Sequence, residues 1–244
     1  MSPRVAFVTG GGRGIGAATA RRLAAEGVRV AVADRDGDAA HAVAAEIDGL
    51  ALPVDVSRPG EVVAAVDRTV AWGGGLHYAY NNAGVTGVLA DVADYPQDVF
   101  WRVQRVNVGG VLAGMRAQLP HLVAAGGGAI VNAASGAGLA GVARSAAYVA
   151  SKHAIVGLTR TAAVEYAARG VRVNAVAPGL VSTGLVRGID RSAFADAHPA
   201  GRPARPEEVA EAVWWLLAGG SSFVTGTVLP VDGGLLAQVP GLGS

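Results

Sequence analysis

Apolar runs of strand length recur along the chain at Val5 to Val8, Val28 to Ala33, Leu50 to Val54, Leu76 to Tyr80, Ala129 to Ala133, Val171 to Val176 and Thr227 to Val231. Helix-like segments separate most of them. Within most of these runs the apolar residues are continuous rather than alternating with polar ones, which is the pattern of parallel strands buried on both faces. Such a sheet needs helices above and below it, so the spacing predicts a doubly wound α/β fold.

Helix punctuation agrees with that reading. Gly27 follows the segment Ile15 to Glu26, Ser57 and Pro59 open the segment running to Trp72, and Pro206-Glu-Glu208 opens the one ending at Gly219. No linker or internal repeat interrupts the 244 residues, and 51% of them are hydrophobic, enough for one large core, so residues 1–244 read as a single domain.

Charge and composition narrow the partners. A formal net charge of +1, with both signs scattered, argues against a nucleic-acid or membrane-surface role and leaves a small molecule. The chain has no cysteine, which excludes disulfides, thiolate metal sites and a cysteine nucleophile, and no metal is expected. Met1 to Arg4 lead directly into the first strand without the apolar core of a signal peptide, so a cytoplasmic protein is expected. The uncharged stretch Ala117 to Ala143 has spanning length, but Pro120, His121, Asn132 and many glycines break it.

Directly after the first strand comes Thr9-Gly-Gly-Gly-Arg-Gly-Ile-Gly16. Glycines at Gly10, Gly14 and Gly16 let the backbone approach a pyrophosphate, and the helix beginning near Ile15 offers its free N–H groups and dipole to the same anion. The literal G-x-G-x-x-G pattern occurs elsewhere, at Gly136 to Gly141, with no helix starting before Ser145; it reads as a flexible loop beside the site. Asp34 ends the second strand, where a carboxylate accepts hydrogen bonds from the hydroxyls of an adenosine ribose and repels a 2′-phosphate. Arg13 and Arg35 are each placed to meet a phosphate, and removing Asp34 is expected to leave them free to do so. Asp34 weighs more, so NAD is expected, with NADP the lesser alternative.

Further polar residues fall at the carboxyl ends of strands, where parallel sheets bind ligands. Asp55 follows the third strand, Asn81-Asn82-Ala83-Gly84 the fourth, and Ser135 the fifth. Alone, each also reads as a cap or turn residue; together they outline one cleft. Asn107 lies in an apolar helical segment before Gly109-Gly110, where an interrupted helix would free a backbone carbonyl for water.

Tyr148 and Lys152 are four residues apart in a stretch, Ser145 to Arg169, broken only by Gly157. On a helix they share a face. An ammonium beside a phenol favours the phenolate and is expected to lower the tyrosine pKa toward general acid/base range. The plainer reading is a packed tyrosine with a solvated lysine one turn on.

Taken together, the Thr9 to Gly16 loop, Asp55-Val56, Asn81 to Gly84, Asn107, Ser135, Tyr148 with Lys152, Pro178-Gly179 with Thr183, and Val231-Asp-Gly-Gly234 resemble the short-chain dehydrogenase/reductase (SDR) family along essentially the whole chain. The resemblance implies a Rossmann-like sheet of about seven strands, a nicotinamide cofactor and a homotetramer. It implies that Tyr148 is the general acid/base, that Ser135 holds the substrate oxygen, that Lys152 tunes Tyr148 and binds the nicotinamide ribose, and that Asn107 positions a water. Cofactor contacts are implied for Gly10, Arg13, Gly14, Ile15, Gly16, Asp34, Arg35, Asp55, Val56, Asn82, Ala83, Gly84, Tyr148, Lys152, Pro178, Gly179, Val181 and Thr183. The function expected is an NAD-dependent dehydrogenase of a secondary alcohol or its ketone. The alternatives are an NADPH-dependent 3-oxoacyl-thioester (acyl-carrier-protein) reductase and a catalytically silent nucleotide sensor. A substrate lid is expected within 182–205, carrying Leu185, Val186, Arg187, Ile189, Asp190, Arg191, Phe194 and His198.

Overall fold

Seven parallel strands are what the continuous apolar runs produce: β1 (Val5–Thr9), β2 (Arg29–Asp34), β3 (Leu50–Pro53), β4 (Tyr78–Asn81), β5 (Gly128–Ala133), β6 (Val171–Pro178) and β7 (Val228–Val231). The computed structural model describes residues 3–184 and 198–238. Between the strands lie α1 (Gly14–Ala25), α2 (Gly37–Glu46), α3 (Pro59–Gly73), α4 (Gln97–Gln104), α5 (Gly110–Ala124), α6 (Ala146–Tyr166) and α7 (Pro206–Leu217).

The sheet order is β3-β2-β1-β4-β5-β6-β7. From β1 the chain builds outward to β3, then returns to the other side of β1, so the order reverses between β1 and β4. A crevice opens there at the carboxyl edge, because the connections on the two sides leave in opposite directions. The Rossmann-like fold expected from the sequence is therefore the one observed.

Register explains the two cores. Val8 pairs with Val32 and Tyr80, and Tyr80 with Val131; all point to one face, where α1, α2 and α7 supply Leu23, Val43, Val209 and Leu216. One residue earlier, Phe7, Ala31, Ala79 and Ile130 point to the opposite face, against Val66 of α3, Leu119 of α5 and Ile155 of α6. Every strand in the middle of the sheet needs apolar side chains on both faces, which is why its sequence does not alternate. Each of these large buried side chains stabilises the fold by about 1.5–3 kcal/mol before entropy is subtracted.

Two local features position the crevice. The helix α4 continues into α5 through a π-helical turn over Arg105–Gly109, where the sequence suggested an interruption at Asn107. On the other side of the sheet, Arg172 of β6 donates to the carbonyls of Leu216, Leu217, Ala218 and Val224 and to the Ser221 hydroxyl, neutralising the open C-terminal end of α7. No helix among the described residues is long and apolar enough to cross a membrane. Of the expected lid, Leu185, Val186, Arg187, Ile189, Asp190, Arg191 and Phe194 lie outside the described residues. His198 is buried, and its Nε2 accepts from the Leu180 N–H at 3.0 Å.

Candidate active site

The glycine turn takes its shape from the backbone's need to double back. Gly10 has φ +60°, and a Cβ added to Gly16 would stand 2.0 Å from the Gly10 carbonyl oxygen, so the first turn of α1 folds over the end of β1 with no room for a side chain. Its N-terminal turn holds no acidic residue, leaving the free N–H groups and positive dipole end facing the crevice. A cradle that any Cβ would fill, opening on a helix N-terminus, fits the pyrophosphate of a dinucleotide.

Asp34 is tied into this turn. Its Oδ2 accepts from the Gly12 N–H and its Oδ1 from the Asp36 N–H, both at 3.0 Å, which fixes the carboxylate at the tip of β2. One expectation needs correcting here: Arg13 is not held apart for a phosphate, because its guanidinium is paired with the Asp36 carboxylate. Arg35 is exposed, and its charge is felt by Asp55.

Asp55 itself is a turn-former, accepting from the Ser57 hydroxyl at 2.7 Å and the Ser57 N–H at 2.9 Å. Those bonds hold its carboxyl below the usual range, the hydroxyl first. The Val56 side chain is in the core, close enough to α5 that a Cβ on Gly110 would sit 2.9 Å from it.

The Asn81 to Gly84 segment joins the two halves of the site. Thr9 Oγ1 accepts from the N–H groups of Asn82 and Ala83, while Asn82 Nδ2 donates back to the Thr9 and Gly10 carbonyls at 3.2 and 3.1 Å. Gly84 then passes so close to the π-helical turn and α6 that a Cβ there would be 3.2 Å from Asn107 Oδ1 and 3.8 Å from Lys152 Nζ. Asn107 is fully buried: Oδ1 accepts from the Val85 N–H at 2.8 Å, and Nδ2 donates to the Val85 carbonyl and Ser151 Oγ, each at 2.9 Å. Its side chain therefore pins the β4 loop to α6.

On α6, Tyr148, Ser151 and Lys152 face inward. The Tyr148 phenol lies near the Ser135 side chain, whose Oγ accepts from the Ala137 N–H at 3.2 Å. Lys152 is buried; Nζ donates to the Ala133 carbonyl at 2.7 Å and stands 5.4 Å from the Tyr148 ring centroid. The sequence expectation that Lys152 lowers the Tyr148 pKa is not what this arrangement produces. Enough protein surrounds Tyr148 that desolvation raises its pKa, opposed by the nearby Ser135 hydroxyl, while burial brings Lys152 down to about 8. The two groups are moved in opposite directions, the phenol up and the ammonium down, each mainly by loss of water.

The segment after β6 closes the far side. Gly179 N–H donates to the Val231 carbonyl at 3.1 Å, Val181 bridges Ala204, and Thr183 reaches the glycine turn, 3.1 Å from where a Cβ on Gly14 would be. A Cβ on Gly136 would be 3.7 Å from the Pro178 carbonyl oxygen, so the ends of β5 and β6 meet at Ser135. The Gly136 to Gly141 stretch is not the loose loop expected: Gly136–Gly138 form a buried 3-10 turn, and Gly138 has no side chain because one would fall 2.8 Å from the Lys152 carbonyl oxygen.

Sequence reasoning missed the buried polar support beneath the site. Asn81 exchanges hydrogen bonds with Gln118 and donates to Asn132, which donates to Thr159. The signal was present as Asn81 and Asn132, paired in register at the ends of two otherwise apolar strands. Ser151 was missed as well, its only sequence mark being its place one residue before Lys152.

Comparison with known proteins gives a consistent result. A protein-family model described as enoyl-(acyl carrier protein) reductase matches residues 10–236. A cyclohexanol dehydrogenase of Acinetobacter sp. (strain SE19) is 43% identical over 235 residues, covering 94% of each chain. A cis-4-hydroxycyclohexanecarboxylate dehydrogenase of Sinomonas cyclohexanicum is 44% identical over 244 residues, 97% of this chain and 98% of the relative. Among solved structures, a 3-ketoacyl-(acyl-carrier-protein) reductase from Brucella melitensis complexed with NADH superposes with a TM-score of 0.91 at 34% identity, covering 95% of this chain and 98% of that one.

Proposed function

The chain belongs to the short-chain dehydrogenase/reductase family, and from that premise we propose that it transfers a hydride between NAD(H) and a secondary alcohol or its ketone, with Tyr148 as the general acid/base. One observation carries the reading: the Tyr148 phenol, near Ser135 and backed by the buried Lys152, stands at the carboxyl edge of the sheet, the edge on which a glycine turn shaped for a dinucleotide also opens.

When bound, the nicotinamide ring supplies or accepts the hydride. The protein's part is the proton. With its pKa above the ordinary phenol value, Tyr148 is protonated at neutral pH and suited to give its proton to a ketone oxygen as carbon gains hydride. In the oxidative direction the phenol first gives its proton to solvent, and the phenolate oxygen then takes the alcohol proton as the hydride leaves carbon, so oxidation is favoured as the pH rises toward the raised Tyr148 pKa. Ser135 aligns the substrate oxygen with the phenol, so that the reacting atoms meet without a search over orientations. Asn107 contributes by fixing the β4 loop against α6, with Val85 and Ser151 as its partners.

For the nucleotide, Gly10, Gly14, Ile15 and Gly16 would hold the pyrophosphate, Asp34 the adenosine ribose diol, and Lys152 the nicotinamide ribose. Asp55, Val56, Asn82, Ala83 and Gly84 would line the adenine side, and Pro178, Gly179, Val181 and Thr183 the nicotinamide side, with Arg13 and Arg35 at the rim. A lid within 182–205 and a homotetramer belong to the same reading.

The names of two relatives support an alicyclic secondary alcohol as the substrate class. The test is NAD+-dependent oxidation of cyclohexanol and substituted cyclohexanols beside linear secondary alcohols and a 3-oxoacyl thioester. Turnover of the ring alcohols with NAD+ supports the reading. Activity confined to the thioester would replace it with the reductase reading, whose substrate class, though not its NADPH, the name of the Brucella enzyme supports.

A further inference from the structure

Arg13 is the N-cap residue of α1, with extended backbone (φ −152°), so its side chain leaves the glycine turn at the rim of the crevice instead of entering the helix. There it meets Asp36, which is itself the N-cap of α2: Asp36 Oδ1 accepts from the Ala39 N–H at 3.1 Å, and Oδ2 takes the Arg13 guanidinium. Asp36 also donates its own N–H to Asp34 Oδ1 at 3.0 Å. Two carboxylates and one guanidinium thus share a single turn beside the place assigned to the adenosine ribose.

The pair is too exposed to matter much for stability, with 77% of the Arg13 side chain and 41% of the Asp36 side chain accessible. Its consequence is electrostatic. A 2′-phosphate in this turn would need a guanidinium, and Arg13 offers a forked donor suited to one. With Asp36 on the fork, that donor is already engaged, and the phosphate meets a second negative charge besides Asp34.

We propose that Asp36 is a specificity-determining residue that, by binding Arg13, withholds this cation from the 2′-phosphate of NADP(H). The proposal rests on the reading of this crevice as a dinucleotide site. It predicts that Asp34 alone does not set the preference, and that the Arg13 to Asp36 contact must open before NADP(H) is accepted.

The test measures equilibrium binding of NAD+ and NADP+ by calorimetry, with no turnover required, to wild type, Asp36→Ser, Asp36→Asn, Arg13→Gln and Asp36→Ser/Arg13→Gln. Serine and asparagine both keep the α2 cap while removing the charge, so the turn is preserved in either. Both single Asp36 variants should raise NADP+ affinity relative to NAD+ by roughly tenfold, and adding Arg13→Gln should abolish most of that gain. An unchanged ratio in both cap-preserving variants overturns the proposal while leaving the NAD reading intact. A gain that survives Arg13→Gln also overturns it, since the arginine would then play no part. Wild type binding neither nucleotide would bring down the functional reading, and the proposal with it.

Discussion

Lys152 Nζ donates to the carbonyl oxygen of Ala133 at 2.7 Å, so the last residue of β5 fixes the ammonium that stands beside Tyr148. That bond holds a cation in a nearly dry position, and burial brings its pKa down to about 8 from 10.5. The sign follows from proton counting. Between about pH 8 and 10.5 the unfolded chain binds the proton and the native chain does not, so stability from this group rises with pH across that window. Below pH 8 the native protein carries the full desolvation penalty, at most on the order of 3 kcal/mol. Lys152→Met should abolish turnover and flatten this part of the stability-versus-pH curve, read from urea melts at pH 7.5 and 10. A curve identical to wild type would mean that Lys152 is solvated.

Asn107 spends both of its N–H donors and one acceptor position on Val85 and Ser151, at zero exposure. Asn107→Ala leaves those groups without partners and should destabilise the protein by roughly 2–4 kcal/mol. Denaturant melts check this. A loss of activity with stability intact would point to a direct chemical role instead.

Asp34→Asn should narrow the preference for NAD+ over NADP+ by about tenfold or more, since one like charge near a 2′-phosphate is removed. The preference should not reverse while Asp36 still engages Arg13. The ratio of kcat/KM with the two cofactors measures it, and outright NADP(H) preference in this single variant would contradict the account.

Much of this was legible in the sequence, for identifiable reasons. Strands such as Val5 to Val8 are buried on both faces and so carry unbroken apolar sequence, which a single reading recovers. Gly10 and Gly16 were legible because a close backbone approach admits no other residue. Tyr148 and Lys152 were legible because helical spacing fixes their common face. What escaped depended on distance through space. The pairing of Arg13 with Asp36 spans 23 residues and that of Asn107 with Ser151 spans 44, and nothing local marks either. The direction of the Tyr148 shift was missed because spacing gives proximity to Lys152 but not the loss of water around the phenol that sets the direction.

The most direct test of the central claim is Tyr148→Phe, assayed for NADH formation from cyclohexanol with NAD+ while NAD+ affinity is titrated separately. The ring keeps its packing and loses only the hydroxyl that moves the proton, so turnover should fall by roughly a thousandfold or more, with affinity unchanged within about twofold. Turnover within a few-fold of wild type would contradict the assignment of Tyr148 as the acid/base.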